Sequence, residues 1–168
     1  RQAILDCHDD LSFVSAERIT AELRRMLTHV RRTTAMKLVL DLWLLDQILQ
    51  QHVPCRESYL DFACGTGRVL AHVERHFQTA VGLDVSDTML AVAKQRVRAA
   101  MLVEADATRD RTVLGGQKFD FITAFRFFLN AERALGEQAM AFLVSSLKDE
   151  HSRLLFNVHG NRYSTRAL

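Results

Sequence analysis

The stretch "YLDFACGTGRVL", residues 59–70, combines a strand pattern, a glycine loop and the start of an apolar helix. An aromatic and apolar run passes through Asp61, and Gly65 and Gly67 follow with one residue between them. Glycine has no Cβ, so such a loop lets ligand atoms approach the backbone closely. The stretch therefore predicts a small-molecule site directly after a strand.

From residue 58 onward, short apolar runs alternate with helical patterns. We predict strands at "SYLDFA", "TAVGLDV", "AAMLVEAD", "KFDFITAF" and "SRLLFNVH", and helices over 67–76, 86–98 and 131–147. Ser86 is the predicted cap of the second of these helices. Strands that alternate with helices at this spacing predict an α/β fold with a mostly parallel sheet.

The N-terminal third has a different pattern, because helical periodicity runs through it without a strand. We expect residues 1–53 to form a helical cap or lid, and residues 54–168 to form the α/β domain. Leu40, Trp43 and Leu44 lie in an apolar helix, and we expect them in the core.

Bulk composition excludes little. The 168 residues are 48% hydrophobic and 25% charged, with net charge +2, which is ordinary for a globular domain. The three cysteines have no paired spacing, so we predict neither a disulfide framework nor a zinc site, and we expect a reducing cytoplasm. The most apolar window, "LVLDLWLLDQIL", is too short to span a bilayer.

Side chains suited to a nucleoside ligand follow four consecutive predicted strands. These are the carboxylates of Asp61, Asp84 and Asp106 and the residues of the turn 124–126. Because the carboxyl ends of parallel strands open on one crevice, we expect them to lie together. An acid at the end of the second strand can accept hydrogen bonds from ribose hydroxyls, and the helix after Gly67 favours an anion. Position 70 is leucine, which argues against a dinucleotide fingerprint, and the P-loop pattern is absent.

Four quoted motifs together carry a family resemblance. "DFACGTG", "VGLDVSDTMLAVAKQR", "VEADAT" and "FDFITAF" resemble, in order, motifs of the class I S-adenosylmethionine-dependent methyltransferases, over about residues 56–160. The resemblance implies a Rossmann-like three-layer sandwich that binds S-adenosylmethionine and releases S-adenosylhomocysteine. Ala63 replaces the first glycine of the family motif, and we expect its backbone to serve the same role.

The resemblance also implies roles for individual residues. Asp61 would hold the loop and the cofactor's amino end, Asp84 would bind both ribose hydroxyls, and Asp106 would bind the adenine amino group. Val85, Met89 and Ala107 would contact the adenine, and Ala124 and Phe125 would lie beside the sulfonium. The implied cofactor-binding residues are Asp61, Ala63, Cys64, Gly65, Gly67, Asp84, Val85, Met89, Asp106, Ala107, Ala124 and Phe125. Covalent catalysis by Cys64 is the less favoured alternative to packing, since no motif supports a nucleophile there.

Residues for catalysis and for the acceptor are less clearly marked. His159 follows the fifth strand and is our candidate general base, with an ordinary loop histidine as the alternative. Arg126 and Phe128 follow the fourth strand, where family members contact substrate, although core packing is the alternative for the phenylalanine. No Asn/Asp-Pro-Pro-Tyr/Phe motif follows that strand, which disfavours methylation of nucleic-acid bases or glutamine.

Two charged patterns have ordinary explanations. His72 and His76 are one helical turn apart, but the segment is not H-E-x-x-H, so we predict a solvated helix face and no metal. A basic N-terminal region is interleaved with acids, so a charged helix exterior is the alternative to RNA contact. Its basic residues are Arg18, Arg24, Arg25, Arg31, Arg32 and Lys37.

We therefore expect a cytoplasmic methyltransferase that acts on a small molecule, without a membrane partner. Methylation of RNA and a non-catalytic subunit with a methyltransferase fold remain alternatives. Family sheets continue with two strands beyond the fifth, whereas only "GNRYSTRAL" follows His159. We expect a fragment, or a sheet edge that another element or an oligomer partner covers.

Overall fold

The computed structural model describes the backbone of residues 32–157 and the side chains of residues 42–157. Its elements are α1 (Arg32–His52), β1 (Ser58–Phe62), α2 (Arg68–Val73), a 3-10 turn (Glu74–His76), β2 (Thr79–Asp84), α3 (Asp87–Ala93), β3 (Met101–Glu104), β4 (Phe121–Ala124), α4 (Arg133–Ser145) and β5 (Arg153–Phe156). None of the described helices has the length and apolar character that crossing a bilayer requires.

The chain divides into two compact units, residues 1–45 and residues 46–168. The second unit contains the whole sheet. The lid role expected for residues 1–53 stays a prediction.

The five described strands form one parallel sheet in the order β3-β2-β1-β4-β5. This confirms the predicted α/β fold. The strand order reverses between β1 and β4, and a crevice opens at such a reversal, outside the carboxyl ends of the strands. In the register of these two strands, Asp61 lies opposite Thr123.

The centre of the sheet is the most deeply buried part. Every residue of β1 and of β4 is buried, whereas β3 and β5 expose both of their end residues. Phe142 and Leu143 of α4 belong to the same buried cluster as Leu60 and Ile122. Each such side chain contributes about 1.5–3 kcal/mol by its burial. The central strands therefore provide a rigid base for the residues that follow them.

All three predicted helices of the α/β domain are shorter than expected, and the one predicted over 131–147 spans Arg133–Ser145. The helix expected over 86–98 ends at Ala93, and its predicted cap is confirmed, since Ser86 Oγ accepts a hydrogen bond from the Met89 N–H. The helix expected over 67–76 changes to a 3-10 turn at Glu74. The buried Glu74 carboxylate accepts hydrogen bonds from three successive backbone N–H groups, at positions 98–100. This side chain directs the chain into β3.

The core prediction for Trp43 and Leu44 is wrong, because their side chains are 59% and 51% exposed. The buried residues of α1 are Leu45 and Leu49, which are one helical turn apart. A helix turns about 100° per residue, so Trp43 lies on the side opposite Leu45. The side chain of Leu40 lies outside the described residues.

The solvated face predicted for His72 is also wrong. Its side chain is only 11% exposed, and its Nε2 lies 2.8 Å from Asp46 Oδ1 of α1. His76 Nε2 lies 3.9 Å from the same oxygen. Burial and the neighbouring Arg75 lower the pKa of His76. The histidines therefore pack against the end of α1.

Candidate functional site

A cavity of about 400 Å³ opens at the carboxyl ends of β1 and β4. It is lined by Asp61, Ala63, Cys64, Gly65, Thr66, Arg68, Val69, Met89, Phe125, Arg126 and Asn130. Six residues predicted to bind the cofactor lie on this wall: Asp61, Ala63, Cys64, Gly65, Met89 and Phe125. Its volume is within the range of small-molecule sites.

Glycine is required at positions 65 and 67 of the loop for different physical reasons. Both have positive φ, 53° at Gly65 and 69° at Gly67. A Cβ added to Gly65 would meet no atom within 4 Å, so space is open in front of it. A Cβ on Gly67 would lie 2.8 Å from the Cβ of Ala93, and Gly67 is not among the cavity-lining residues. Gly65 thus leaves room at the cavity, whereas Gly67 allows α3 to pack closely.

Ala63 stands in the left-handed region, with φ 53°. A left-handed residue with a Cβ costs roughly 1–2 kcal/mol. The family glycine at this position therefore has a conformational reason, and Ala63 reproduces the backbone shape with strain.

Asp84 ties the glycine loop to the end of β2. Its Oδ2 accepts a hydrogen bond of 2.7 Å from the Gly65 N–H, and its Oδ1 accepts one of 2.9 Å from the Ser86 N–H. The Cys64 N–H donates to the Leu83 carbonyl at 3.0 Å. A carboxylate has about four acceptor positions, so the ribose role predicted for Asp84 is compatible with these bonds.

The Cys64 thiol is held in its neutral form. Burial, followed by the nearby Asp61 and Asp84, raises the pKa of Cys64 to about 12. Its Sγ packs over Gly82, where an added Cβ would lie 3.1 Å away. The favoured packing role agrees with this environment, since a nucleophilic cysteine requires a lowered pKa.

Asp61 is the buried acid of the cavity, with 2% of its surface exposed. Burial raises its pKa to about 7, while hydrogen bonds from the Thr123 hydroxyl and the Leu70 backbone and the charge of Arg68 act in the opposite direction. The Leu70 N–H, at the start of α2, is thus directed to a carboxylate of the protein itself. Asp61 changes its charge near neutral pH.

A second concave region, of about 390 Å³, adjoins the ends of β2 and β3. It is lined by Val85, Glu104, Ala105, Asp106 and Arg109. Asp106 Oδ1 accepts hydrogen bonds from the Thr108 N–H at 3.0 Å and from its hydroxyl at 2.5 Å, which lower the pKa of Asp106. Ala107 is buried. The adenine contacts predicted for Val85, Asp106 and Ala107 stay predictions.

After β4 the chain turns sharply at Arg126, whose φ is 66°. The Arg126 N–H donates to Asn157 Oδ1 at 2.6 Å. Phe125 lines the cavity, whereas Ala124 is fully buried at the end of the strand. The roles predicted beside the sulfonium for these two residues stay predictions.

Phe128 packs away from the cavity lining. Its ring centroid lies 5.2 Å from that of Phe127 and 5.0 Å from that of Phe156. These ring contacts favour the apolar packing alternative for Phe128. A role of Phe128 in binding an acceptor stays a prediction. His159 lies outside the described residues, as do the side chains of the basic N-terminal region.

Several cavity residues are absent from the sequence prediction. Thr66, Arg68 and Val69 follow or interrupt the glycine loop, so their position next to it is a usable signal. Asn130 lies four residues after Arg126 and donates to its carbonyl at 3.0 Å. Thr123, which donates to Asp61, carries no sequence signal, because its contact depends on the register of β1 and β4.

A different polar cluster lies at the amino ends of β1 and β4. Cys55, Glu57 and Asp120 come close enough for their ligand atoms to surround an ion. The Lys148 ammonium lies 2.6 Å from Glu57 Oε2 and 3.3 Å from Asp120 Oδ1, so a protein cation neutralises them. Asp120 also accepts from the Ser58 N–H at 2.8 Å. We interpret this cluster as a structural tie between strands.

Comparisons with known proteins agree with this geometry. The model of the methyltransferase domain family matches residues 60–150, more than half of the 168 residues. A second model, described as the probable RNA and SrmB-binding site of polymerase A, matches residues 1–55. A dTDP-3-amino-3,6-dideoxy-alpha-D-glucopyranose N,N-dimethyltransferase of Streptomyces fradiae is 39% identical over 79 residues, which are 47% of this chain and 30% of that protein.

Solved structures show the same fold. The sugar N-methyltransferase KedS8 of a Streptoalloteichus species superposes with a TM-score of 0.63 at 24% identity, covering 76% of this chain and 51% of that one. An amino pentose methyltransferase from Micromonospora echinaspora, with S-adenosylmethionine bound, has a TM-score of 0.61 at 23% identity, with coverages of 86% and 57%.

The chain spans 30% of the length of the Streptomyces fradiae enzyme and 31% of a dTDP-3-amino-3,4,6-trideoxy-alpha-D-glucopyranose N,N-dimethyltransferase of Streptomyces venezuelae, which is about a third of each. The residues that the family model matches, 60–150, include all the residues that line the strand-end cavity. The family match, the parallel sheet with reversed strand order and the four strand-end motifs agree, and the chain belongs to the methyltransferase domain family, with the fold of the class I S-adenosylmethionine-dependent enzymes.

Proposed function

We propose that this chain carries the cofactor-binding part of a methyltransferase that methylates an amino group of a small molecule, namely an amino sugar linked to a nucleotide. The observation that carries the proposal is the cavity at the carboxyl ends of β1 and β4, where Gly65 leaves open space beside the Asp61 carboxylate. These residues fit S-adenosylmethionine: Asp61, on the cavity wall, suits its ammonium group. Asp84 does not line the cavity but holds the Gly65 N–H beside it, and it suits the ribose hydroxyls.

When bound, S-adenosylmethionine supplies a methyl group on a positively charged sulfur. That sulfur is a good leaving group and needs no further activation. The protein's task is then to orient the donor and the acceptor, which can lower the activation barrier by about 7–11 kcal/mol. Phe125 and Met89 lie on the cavity wall and would exclude water there. His159 remains our proposed group for accepting the proton that a methylated amine releases.

Two observations support the acceptor class. The named relatives include three N,N-dimethyltransferases of dTDP-linked amino sugars, 34–39% identical over the matched residues. In this chain Arg126 is exposed at the cavity, and guanidinium groups pair well with phosphate oxygens. Arg126 would thus hold the diphosphate of such an acceptor.

A methyl-transfer assay with labelled S-adenosylmethionine tests the proposal. We expect transfer to a dTDP-linked amino sugar and none to the corresponding hydroxyl sugar. Arg126→Gln should raise the KM for the acceptor and leave cofactor affinity unchanged, whereas Arg133→Gln, an exposed arginine of α4, should change neither. Cofactor binding without transfer to any amino sugar would contradict this acceptor class.

RNA is a second candidate acceptor, supported by the family match over residues 1–55. RNA affinity should then fall steeply with salt, with a slope that reports the number of phosphate contacts.

A non-catalytic subunit is the third alternative, and light scattering after size exclusion would detect the partner or second copy that it requires. A cytoplasmic location stays part of the proposal, as does association through a sheet edge.

A further inference from the structure

Three side chains of β1 and β4 form a hydrogen-bonded chain that ends at the cavity. The Thr123 hydroxyl donates to Asp61 Oδ1 at 2.7 Å, and the Tyr59 hydroxyl lies 2.6 Å from Thr123 Oγ1. A threonine has one hydroxyl hydrogen, so with that hydrogen on Asp61 the Tyr59 hydroxyl donates to Thr123. All three side chains are buried, with exposures of 0%, 0% and 2% for Tyr59, Thr123 and Asp61.

This chain has a geometric origin in the sheet. Tyr59 and Asp61 are two residues apart on β1, so their side chains share one face of the sheet. Thr123 lies opposite Asp61 in the register of β4, a strand whose other residues are all apolar. A valine would match the shape of threonine but offers no donor. The position of this one hydroxyl thus determines how the Asp61 carboxylate is held.

We propose that Thr123, held in turn by Tyr59, is a positioning residue that keeps the Asp61 carboxylate oriented and charged for the ammonium group of a ligand in the cavity. The identity of this ligand as S-adenosylmethionine or its product rests on the proposed function. The orienting contact itself does not.

The charges around Asp61 define how it responds to pH. Arg68 of α2 attracts the ionised form, Asp84 of β2 disfavours it, and Cys64 of the loop stays neutral. Burial dominates and raises the pKa of Asp61 to about 7, against the hydrogen bond from Thr123. A ligand ammonium binds the charged form, so its affinity should rise with pH through this range.

The test is the affinity of the full chain for S-adenosylhomocysteine, measured by calorimetry between about pH 5.5 and about pH 9, a range that includes the titration of a raised carboxyl pKa and its plateau. For the wild type we expect affinity to rise with pH and then level off. For Thr123→Val the rise should move to higher pH, with roughly tenfold weaker binding below the midpoint for each unit of pKa increase. Thr123→Ser should restore the wild-type curve, and Tyr59→Phe should shift it in the same direction as valine, by less.

A cofactor-free measurement separates this inference from the proposed function. Carbon-13 NMR of the aspartate carboxyls, with Asp61→Asn as the assignment control, should show a higher Asp61 pKa in Thr123→Val than in the wild type. If the wild type binds no S-adenosylhomocysteine, the proposed function fails, and the titration still decides whether Thr123 holds Asp61. An unchanged Asp61 titration, or a loss of affinity that is equal at every pH and not restored by serine, would overturn the inference. If the valine variant does not fold, the Tyr59→Phe shift decides.

Discussion

The Asp84 carboxylate accepts a 2.7 Å hydrogen bond from the Gly65 N–H, so the acid that ends β2 holds the loop that follows β1. Its second oxygen accepts from the N–H of Ser86, which is the N-cap residue of α3. One side chain therefore fixes the loop and the following helix before any ligand binds. Losing it should reduce stability as well as cofactor affinity.

We expect Asp84→Ala to lower the free energy of unfolding by about 1.5–3 kcal/mol, because hydrogen bonds to a charged acceptor contribute this much. Asp84→Asn keeps an oxygen acceptor and should lose less. Urea unfolding measures both. Glu150→Ala, whose side chain is 88% exposed, is the control and should stay within about 0.5 kcal/mol of the wild type. An alanine variant as stable as this control would show that the loop does not depend on Asp84.

Substitutions at the glycines should distinguish a glycine that leaves room for a ligand from one that is needed for close packing of the protein. Gly65→Ala keeps a positive φ with a Cβ, at a cost of roughly 1–2 kcal/mol, and should abolish most cofactor binding because the Cβ enters open cavity space. Gly115→Ala has a similar φ of 59° and equally open space away from the cavity, so it should cost similar stability and no affinity. Gly67→Ala should destabilise more than either, because its Cβ would clash with Ala93 at 2.8 Å. Equal affinities for the variants at positions 65 and 115 would argue against the site.

Ala63→Gly should not destabilise the fold, unlike most alanine-to-glycine changes. It relieves a left-handed alanine, worth roughly 1–2 kcal/mol, and costs about 0.4–1 kcal/mol in unfolded-state entropy, so stability should rise by up to about 1.6 kcal/mol. Ala71→Gly, inside α2, should instead lose about 0.5–1 kcal/mol. Unfolding curves of the pair check this. A similar loss at both positions would contradict the strain at Ala63.

Asp61→Asn should change how stability depends on pH. The folded-state pKa of Asp61 is raised from 3.8 to about 7, so between these values the native state holds a proton that the unfolded state has lost. Asp61 therefore makes the wild type less stable as pH rises through this window, by a few kcal/mol at most. The asparagine variant lacks this cost, so its stability relative to the wild type should increase between about pH 5 and about pH 8, while its cofactor affinity falls. A difference that is the same at both pH values would exclude the raised pKa.

The sheet was predictable because strand and helix periodicities differ, and the cavity was predictable because parallel strands end along one edge. What escaped prediction depends on distances that the chain order does not contain. Thr123 contacts Asp61 only through the strand register, and His72 contacts Asp46 across 26 positions. Trp43 is an aromatic residue of a type common in cores, yet the turn of the helix places it opposite the buried Leu45, where it is exposed.

The most direct test of the central claim is thermal unfolding of the full chain with and without S-adenosylhomocysteine, together with calorimetric titration of the same ligand. At about a hundred times its dissociation constant the ligand should stabilise the wild type by about 2.7 kcal/mol. For a chain of this size that corresponds to a rise of about 5–10 °C, which Gly65→Ala should lose and Gly115→Ala should keep. A folded wild type that shows neither a rise nor heat of binding would contradict the assignment of the cavity as a cofactor site.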